Sequence, residues 1–180
     1  AEIYRVLGEP QKSLEYNLKD ISICEKVLPQ MHPDLATSFN NLALTYKALG
    51  ESQKSLEFNK KALSIQEKIL PPEHPSLALS YNNIASTYGA LGDHQNRLDF
   101  NKKALSIREK VLPPVHPDLA QSYNNLALTY DAIGDLGQAV DFMRLAVGVF
   151  EKSLPAAHPD VAMAKKSLAS LEEQLSAGAG

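Results

Sequence analysis

Four of the five histidines in this 180-residue chain precede a proline, at His32, His74, His116 and His158, each 42 residues after the last. Imidazole suggests a metal site or acid–base chemistry. A zinc centre, however, needs its ligands within about 2.1 Å of one ion, and side chains in successive copies of a repeat do not converge. Each His-Pro reads instead as a helix start that holds a loop. The acidic residues are scattered over solvent faces, and no Ser-His-Asp set, Gly-rich phosphate loop or cysteine cluster occurs. We therefore expect no catalytic residue, metal or cofactor. The single cysteine, Cys24, lies at helical spacing from Ile21 and Leu28 and reads as a small core residue; it excludes an internal disulfide and suits a reducing, cytoplasmic setting.

What recurs besides histidine is amide. Asn-Asn returns at 40–41, 82–83 and 124–125, and single asparagines return at Asn17, Asn59 and Asn101. Residues 32–73 and 74–115 are identical at 28 of 42 aligned positions, too many for shared helix-forming composition alone. A repeat of this length implies stacked supersecondary units, each burying its apolar face against its neighbours.

Within residues 32–73, Pro33 suits a first helical turn and Asp34 suits the positive end of the helix dipole. Leu35, Phe39, Leu42, Tyr46 and Leu49 keep the 4-3-4-3 spacing of an amphipathic helix A, and Gly50 offers the left-handed conformation that ends it. Helix B runs through Leu56, Ala62, Leu63, Ile65 and Ile69 until Leu70-Pro71-Pro72 stops it. The same punctuation elsewhere predicts helices near 10–28, 33–49, 52–70, 75–91, 94–112, 117–133, 136–154 and 159–175, and no strands. Helix B is apolar on two sides, Leu56, Leu63 and Leu70 on one and Phe58, Ala62, Ile65 and Ile69 on the other. It should be sandwiched between its own helix A and the next, which is why such an array propagates. Asn17, Asn59 and Asn101 fall on the leucine side, where interhelical hydrogen bonds would fix register. Arg97 stands where Ser55 and Ala139 stand in other copies and is expected to snorkel to solvent. The Lys60-Lys61 and Lys102-Lys103 pairs read as solvated.

The expected organisation is a single array over 1–175: a truncated first repeat (1–31), full repeats 32–73, 74–115 and 116–157, a capping helix 158–175, and a flexible tail 176–180. The chain opens in mid-repeat, Tyr4 aligning with Tyr46, and both ends read as cuts from a longer array. In the last helix Lys165-Lys166-Ser167 replaces Tyr123-Asn124-Asn125 and Glu172 replaces Tyr130, which reads as a solubilising cap. A net charge of −3 with both signs interspersed argues against nucleic acid, and no apolar run nears the roughly 18 residues of a membrane span.

Leu42-Ala43, Tyr46, Gly50, Ala62-Leu63 and Ile65 sit at the spacings of the tetratricopeptide repeat. The period of 42, the His-Pro-Asp-Leu-Ala opening, Asn-Asn-Leu-Ala and the 104–112 segment resemble the kinesin light chain subtype, with Pro71-Pro72 where those proteins usually have Gly-Lys. The resemblance implies an all-α, right-handed α-α superhelix of antiparallel helical hairpins, a TPR solenoid that binds a protein or peptide in its concave groove. By that resemblance, and by a helical wheel at about 100° per residue, the groove candidates are Asn40, Asn41, Leu44, Lys47, Asn82, Asn83, Ser86, Asn124, Asn125, Leu128 and Asp131. The Asn pairs have two readings: they face a peptide backbone, which an amide can both donate to and accept from, or they bond to the adjacent helix. The Lys/Arg set with which chaperone-binding relatives grip a terminal carboxylate is missing. Two other roles stand beside peptide binding: self-association into a homo-oligomer through exposed array ends, and service as a regulatory arm of a larger signalling protein.

Overall fold

The computed structural model describes residue 4 and residues 7–178. Among these residues there are eight long helices and no strand: α1 (Pro10–Val27), α2 (Pro33–Ala48), α3 (Ser52–Ile69), α4 (Pro75–Ala90), α5 (His94–Val111), α6 (Pro117–Ile133), α7 (Leu136–Ser153) and α8 (Pro159–Gly178). They fall into two compact units, 1–93 and 94–180, and the boundary lies at the turn inside the repeat 74–115.

The punctuation works as its chemistry requires. His32, His74 and His116 are N-caps with extended backbone, and each Nδ1 accepts the N–H two residues on at 3.1 Å. His158 accepts from Asp160 at 3.2 Å in the same manner. Among the described residues no three His, Cys, Asp or Glu side chains cluster to hold an ion. At the other end of helix A, Gly50 adopts φ +77°, the N–H of Gly50 reaches the Lys47 carbonyl (3.0 Å) and that of Glu51 reaches Tyr46 (2.9 Å). These paired bonds close the helix and turn the chain back. The same pair of bonds closes α6 at Gly134, where φ is +91°.

In the first unit α2 packs on α3, and α1 and α3 each pack on the A helix that follows them, α2 and α4. Leu35, Phe39, Leu42 and Tyr46 are buried there with Ile21, Ala62 and Ile65, and Cys24 packs at the edge of the same core. In the second unit α6 packs on α5 and α7, and α7 also packs on α8, around Val140, Met143, Ala146 and Phe150. Helix B is thus covered on both sides by an A helix wherever both neighbours lie in one unit.

The interfaces between a helix B and the next helix A are pinned by polar groups. Asn17, Asn59 and Asn101 donate through Nδ2 to Thr45, Thr87 and Thr129 at 2.8, 3.2 and 3.0 Å. All three threonines are 0% exposed, so these bonds are shielded from water. Ser13 and Ser55 join the threonine hydroxyls at 3.0 and 3.4 Å. A second pin lies two turns away: Ser38 donates to Asp20, Ser80 to Gln66, and Arg108 donates to Ser122, at 2.5, 2.5 and 2.7 Å. Arg108 is 7% exposed; burial depresses its guanidinium pKa, partly offset by Asp118, whose carbonyl also accepts from it at 3.1 Å.

The α7–α8 interface has neither pin. Ala139, Met143 and Phe150 stand for the serine, asparagine and glutamine or arginine, Ala164 and Leu171 stand for the serine and threonine, and all five are buried in one core. Both partners changed together, so no polar atom was stranded. Two expectations need correction here. The last helix does not give way to a flexible tail at residue 176 but continues to Gly178, with the Ser176 hydroxyl bonding the Glu173 carbonyl at 2.8 Å; residues 179–180 lie outside the described residues. Its charged substitutions are also paired rather than merely solubilising: Lys165 meets Glu151 at 2.6 Å, and Arg144 grips Glu172 at 2.6 and 3.0 Å. Of the half helix expected over 1–7, residues 1–3, 5 and 6 lie outside the described set, while Tyr4 stacks on Tyr16 at 5.2 Å between centroids.

The pins predict a coupled response. Thr87→Val leaves the buried Asn59 amide without its acceptor and should cost about 1–3 kcal/mol, measured by urea unfolding. Adding Ser55→Ala and Asn59→Met, with leucine at 87, reproduces the α7–α8 set and should recover most of that loss. Independent, additive losses across the three sites would show that the seam is not a unit.

Candidate functional site

In the first unit α2 and α4 present their exposed faces side by side. Asn41, Lys47 and Ser86 are exposed, and Asn40, Leu44, Asn82 and Asn83 are half-buried. Lys47 and Ser86 touch: Nζ donates to the serine oxygen at 2.6 Å, so this cation is tethered across the two helices. The backbone carbonyls of Asn41 and Asn83 are occupied by Thr45 and Thr87 of the next turn, at 3.1 and 2.9 Å. Their side-chain amides carry no partner among the described residues, whereas Asn82 does have one. Asn40 differs again, since its Oδ1 is buried and unbonded. Leu79, between these groups and the start of α4, is 56% exposed and was missed as a member of this face.

In the second unit the corresponding face belongs to α6 and α8. Asn124 and Asn125 are half-buried, Leu128 is 40% exposed and Asp131 is half-buried. The Asn125 amide is engaged, accepting from Gln121 at 3.0 Å. Leu128 and Asp131 line a cleft of about 370 Å³ whose other wall is Met163, Lys166, Ser167, Ser170, Leu171 and Gln174 of α8. The α8 residues were missed because that helix reads as a cap. The period carries the signal all the same: Met163, Lys166 and Ser170 stand 42 residues after Gln121, Asn124 and Leu128.

A family model for the tetratricopeptide repeat matches residues 1–68, 34–110 and 76–152 in overlapping registers. This chain belongs to the tetratricopeptide repeat family. Its solved relatives place it with the kinesin light chain-like repeats. A Podosopora anserina protein assigned to the kinesin light chains, with nearly identical TPR-like repeats, is 30% identical, superposes with a TM-score of 0.85, and is matched over 96% of this chain and 82% of its own. BtubC (BKLC) from P. vanneervenii is 20% identical with a TM-score of 0.84, covering 96% of this chain and 68% of that one. The apo form of RapI is 18% identical with a TM-score of 0.84, covering 97% and 61%. The latter two attest the fold alone. A search of the curated proteins finds no match. The family and its architecture, an all-α TPR solenoid of successive helix pairs, indicate no catalytic class, and among the described residues no helix is long and apolar enough to cross a membrane.

Away from the inner faces the TPR seams carry a further series of contacts. The Tyr81 hydroxyl donates to Glu67 at 2.9 Å and that of Tyr123 to Glu109 at 3.1 Å. Lys60 and Lys102 lie over the rings of Tyr88 and Tyr130 at 5.3 and 5.6 Å, so the lysine pairs are not simply solvated. In the first seam the tyrosine is replaced by Phe39. There a cleft of about 450 Å³ opens, lined by Glu25, Leu28, Gln30, Met31, Leu35, Phe39, Lys61, Ser64 and Ile65. Arg97 is half-buried and its guanidinium pKa is lowered by that burial, so its snorkelling to solvent is incomplete.

Burial first, then the bond to Glu67, pushes the Tyr81 hydroxyl up to about 12 from an ordinary 10.0. Because the folded value is raised, its contribution to stability is complete below pH 10, is lost as pH climbs through about 12, and is gone above. Ultraviolet titration of tyrosinate should show this late phase, and Tyr81→Phe should remove it. An unchanged titration curve in that variant would contradict the assignment.

Proposed function

We propose that this chain is a non-catalytic, cytoplasmic protein-interaction scaffold that holds an extended or helical peptide segment of a partner against the exposed faces of its A helices. The observation that carries the reading is the pair of uncommitted amides, Asn41 and Asn83, which stand 42 residues apart where the repeat exposes helix A and have no side-chain bond among the described residues. An amide that donates and accepts matches a peptide backbone whatever its side chains. Leu44, Leu79, Leu128 and Met163 add apolar ground beside them, and tethered Lys47 with Asp131 leaves no concentrated positive charge for an acidic terminus. Such a site favours mild, partly apolar ligands. Affinity should be about micromolar, or ~8 kcal/mol.

A second reading has its own observation. On α1, Tyr16, Ile23 and Val27 share one side of the helix and are 46–68% exposed, an apolar face that self-association would cover. Light scattering over a concentration series separates the two: a monomer at high concentration removes the homo-oligomer. A regulatory arm within a larger signalling protein would use the same inner faces.

Peptides selected from a random display library on the purified chain, then titrated by calorimetry, test the scaffold reading. Asn41→Ala and Asn83→Ala should each weaken binding by ~1 kcal/mol, the scale of one neutral hydrogen bond. Asn125→Ala should matter less, because Gln121 already holds that amide. Selected peptides whose isotherms are the same in Asn41→Ala and Asn83→Ala would overturn the assignment.

A further inference from the structure

Glu25, Glu67, Glu109 and Glu151 occupy one place on the four B helices, 42 residues apart. Three of them receive a donor from the facing A helix: the Tyr81 hydroxyl at 2.9 Å, the Tyr123 hydroxyl at 3.1 Å and the Lys165 ammonium at 2.6 Å. The first seam breaks the series. Phe39 supplies the ring but no hydroxyl, and Glu25 has no partner among the described residues. It is there that the 450 Å³ cleft opens, with Leu35, Phe39 and Ile65 for an apolar floor and Met31, 41% exposed, at its mouth. Lys61 also lines the wall, but its ammonium is bonded to Glu57 at 2.6 Å and lies over the Phe58 ring, so it forms no ion pair with Glu25.

We propose that this cleft binds a lysine or arginine side chain of a partner protein, the alkyl stem on Phe39 and Leu35 and the cationic head on Glu25. The molecule itself contains the precedent: at the α7–α8 seam the equivalent carboxylate is met by Lys165. A long amphipathic side chain suits the space because stem and head meet apolar and anionic walls respectively. No inner-face amide lines the cleft, so it is a site separate from the peptide face and could hold a second segment of the same partner.

The probe is Nα-acetyl-lysine methylamide, titrated against the whole chain by NMR, with the norleucine analogue as its uncharged control. Saturable shifts are expected at the Met31 methyl and the Phe39 ring, and the norleucine probe should bind at least about tenfold more weakly, the scale of one charge-assisted hydrogen bond. Glu25→Gln should weaken lysine binding to the same extent. So should Phe39→Tyr, which restores the donor present in the two following repeats and is therefore compatible with the fold. Asn83→Ala should leave it unchanged, which keeps this site distinct from the inner face. Equal binding of the two probes, no saturable shift at Met31, or undiminished binding in Phe39→Tyr would each overturn the proposal.

Discussion

A helix B in this protein is apolar on two sides, and each side demands a cover, which α3 and α7 find within one unit. Everything else follows from that demand. Its own helix A supplies one cover through a tight Gly turn, and the next helix A supplies the other after a proline-stopped loop. Apolar burial alone would let neighbouring hairpins slide by a turn at small cost, since leucine on leucine is tolerant of register. The buried Asn–Thr bond removes that freedom, because a slipped register strands an amide at a cost of about 1–3 kcal/mol. In the three seams that carry it, this bond fixes register.

The last seam shows the alternative solution. Met143 against Leu171 and Phe150 against Ala164 replace both polar pins at once, leaving no orphaned atom. Such a seam holds by volume and shape. Paired exchange is the expected signature of a buried polar contact: either partner alone would be costly, whereas both together are close to neutral. The outer rim behaves similarly, since Lys102 over Tyr130 becomes Arg144 on Glu172, a cation–π contact exchanged for an ion pair at the same place.

The seam also frees the inner faces. Because Thr45 and Thr87 satisfy the carbonyls of Asn41 and Asn83 and receive the B-helix amides, the side chains of Asn41 and Asn83 are left with no structural duty. The paired asparagines thus differ by residue in their partners within the protein. Asn41 and Asn83 are free, while Asn82 and Asn125 are engaged within the protein. Their types are identical, and only their neighbours differ.

The helices, their order and nearly all their ends were legible in the sequence, because proline, glycine and the 4-3 apolar rhythm act locally and recur every 42 residues. The B-helix asparagines were legible as register bonds for the same reason. Their acceptors were not: Thr45, Thr87 and Thr129 recur just as strictly, but a threonine on a helix advertises nothing until a second helix covers it. Nor did local sequence reveal that Lys47 is tied to Ser86, that α8 walls a cleft, or that one missing hydroxyl at Phe39 leaves Glu25 alone above an open space. Those facts concern pairs of groups from different helices. Local chemistry writes the elements, but which side chains meet is decided by packing in three dimensions.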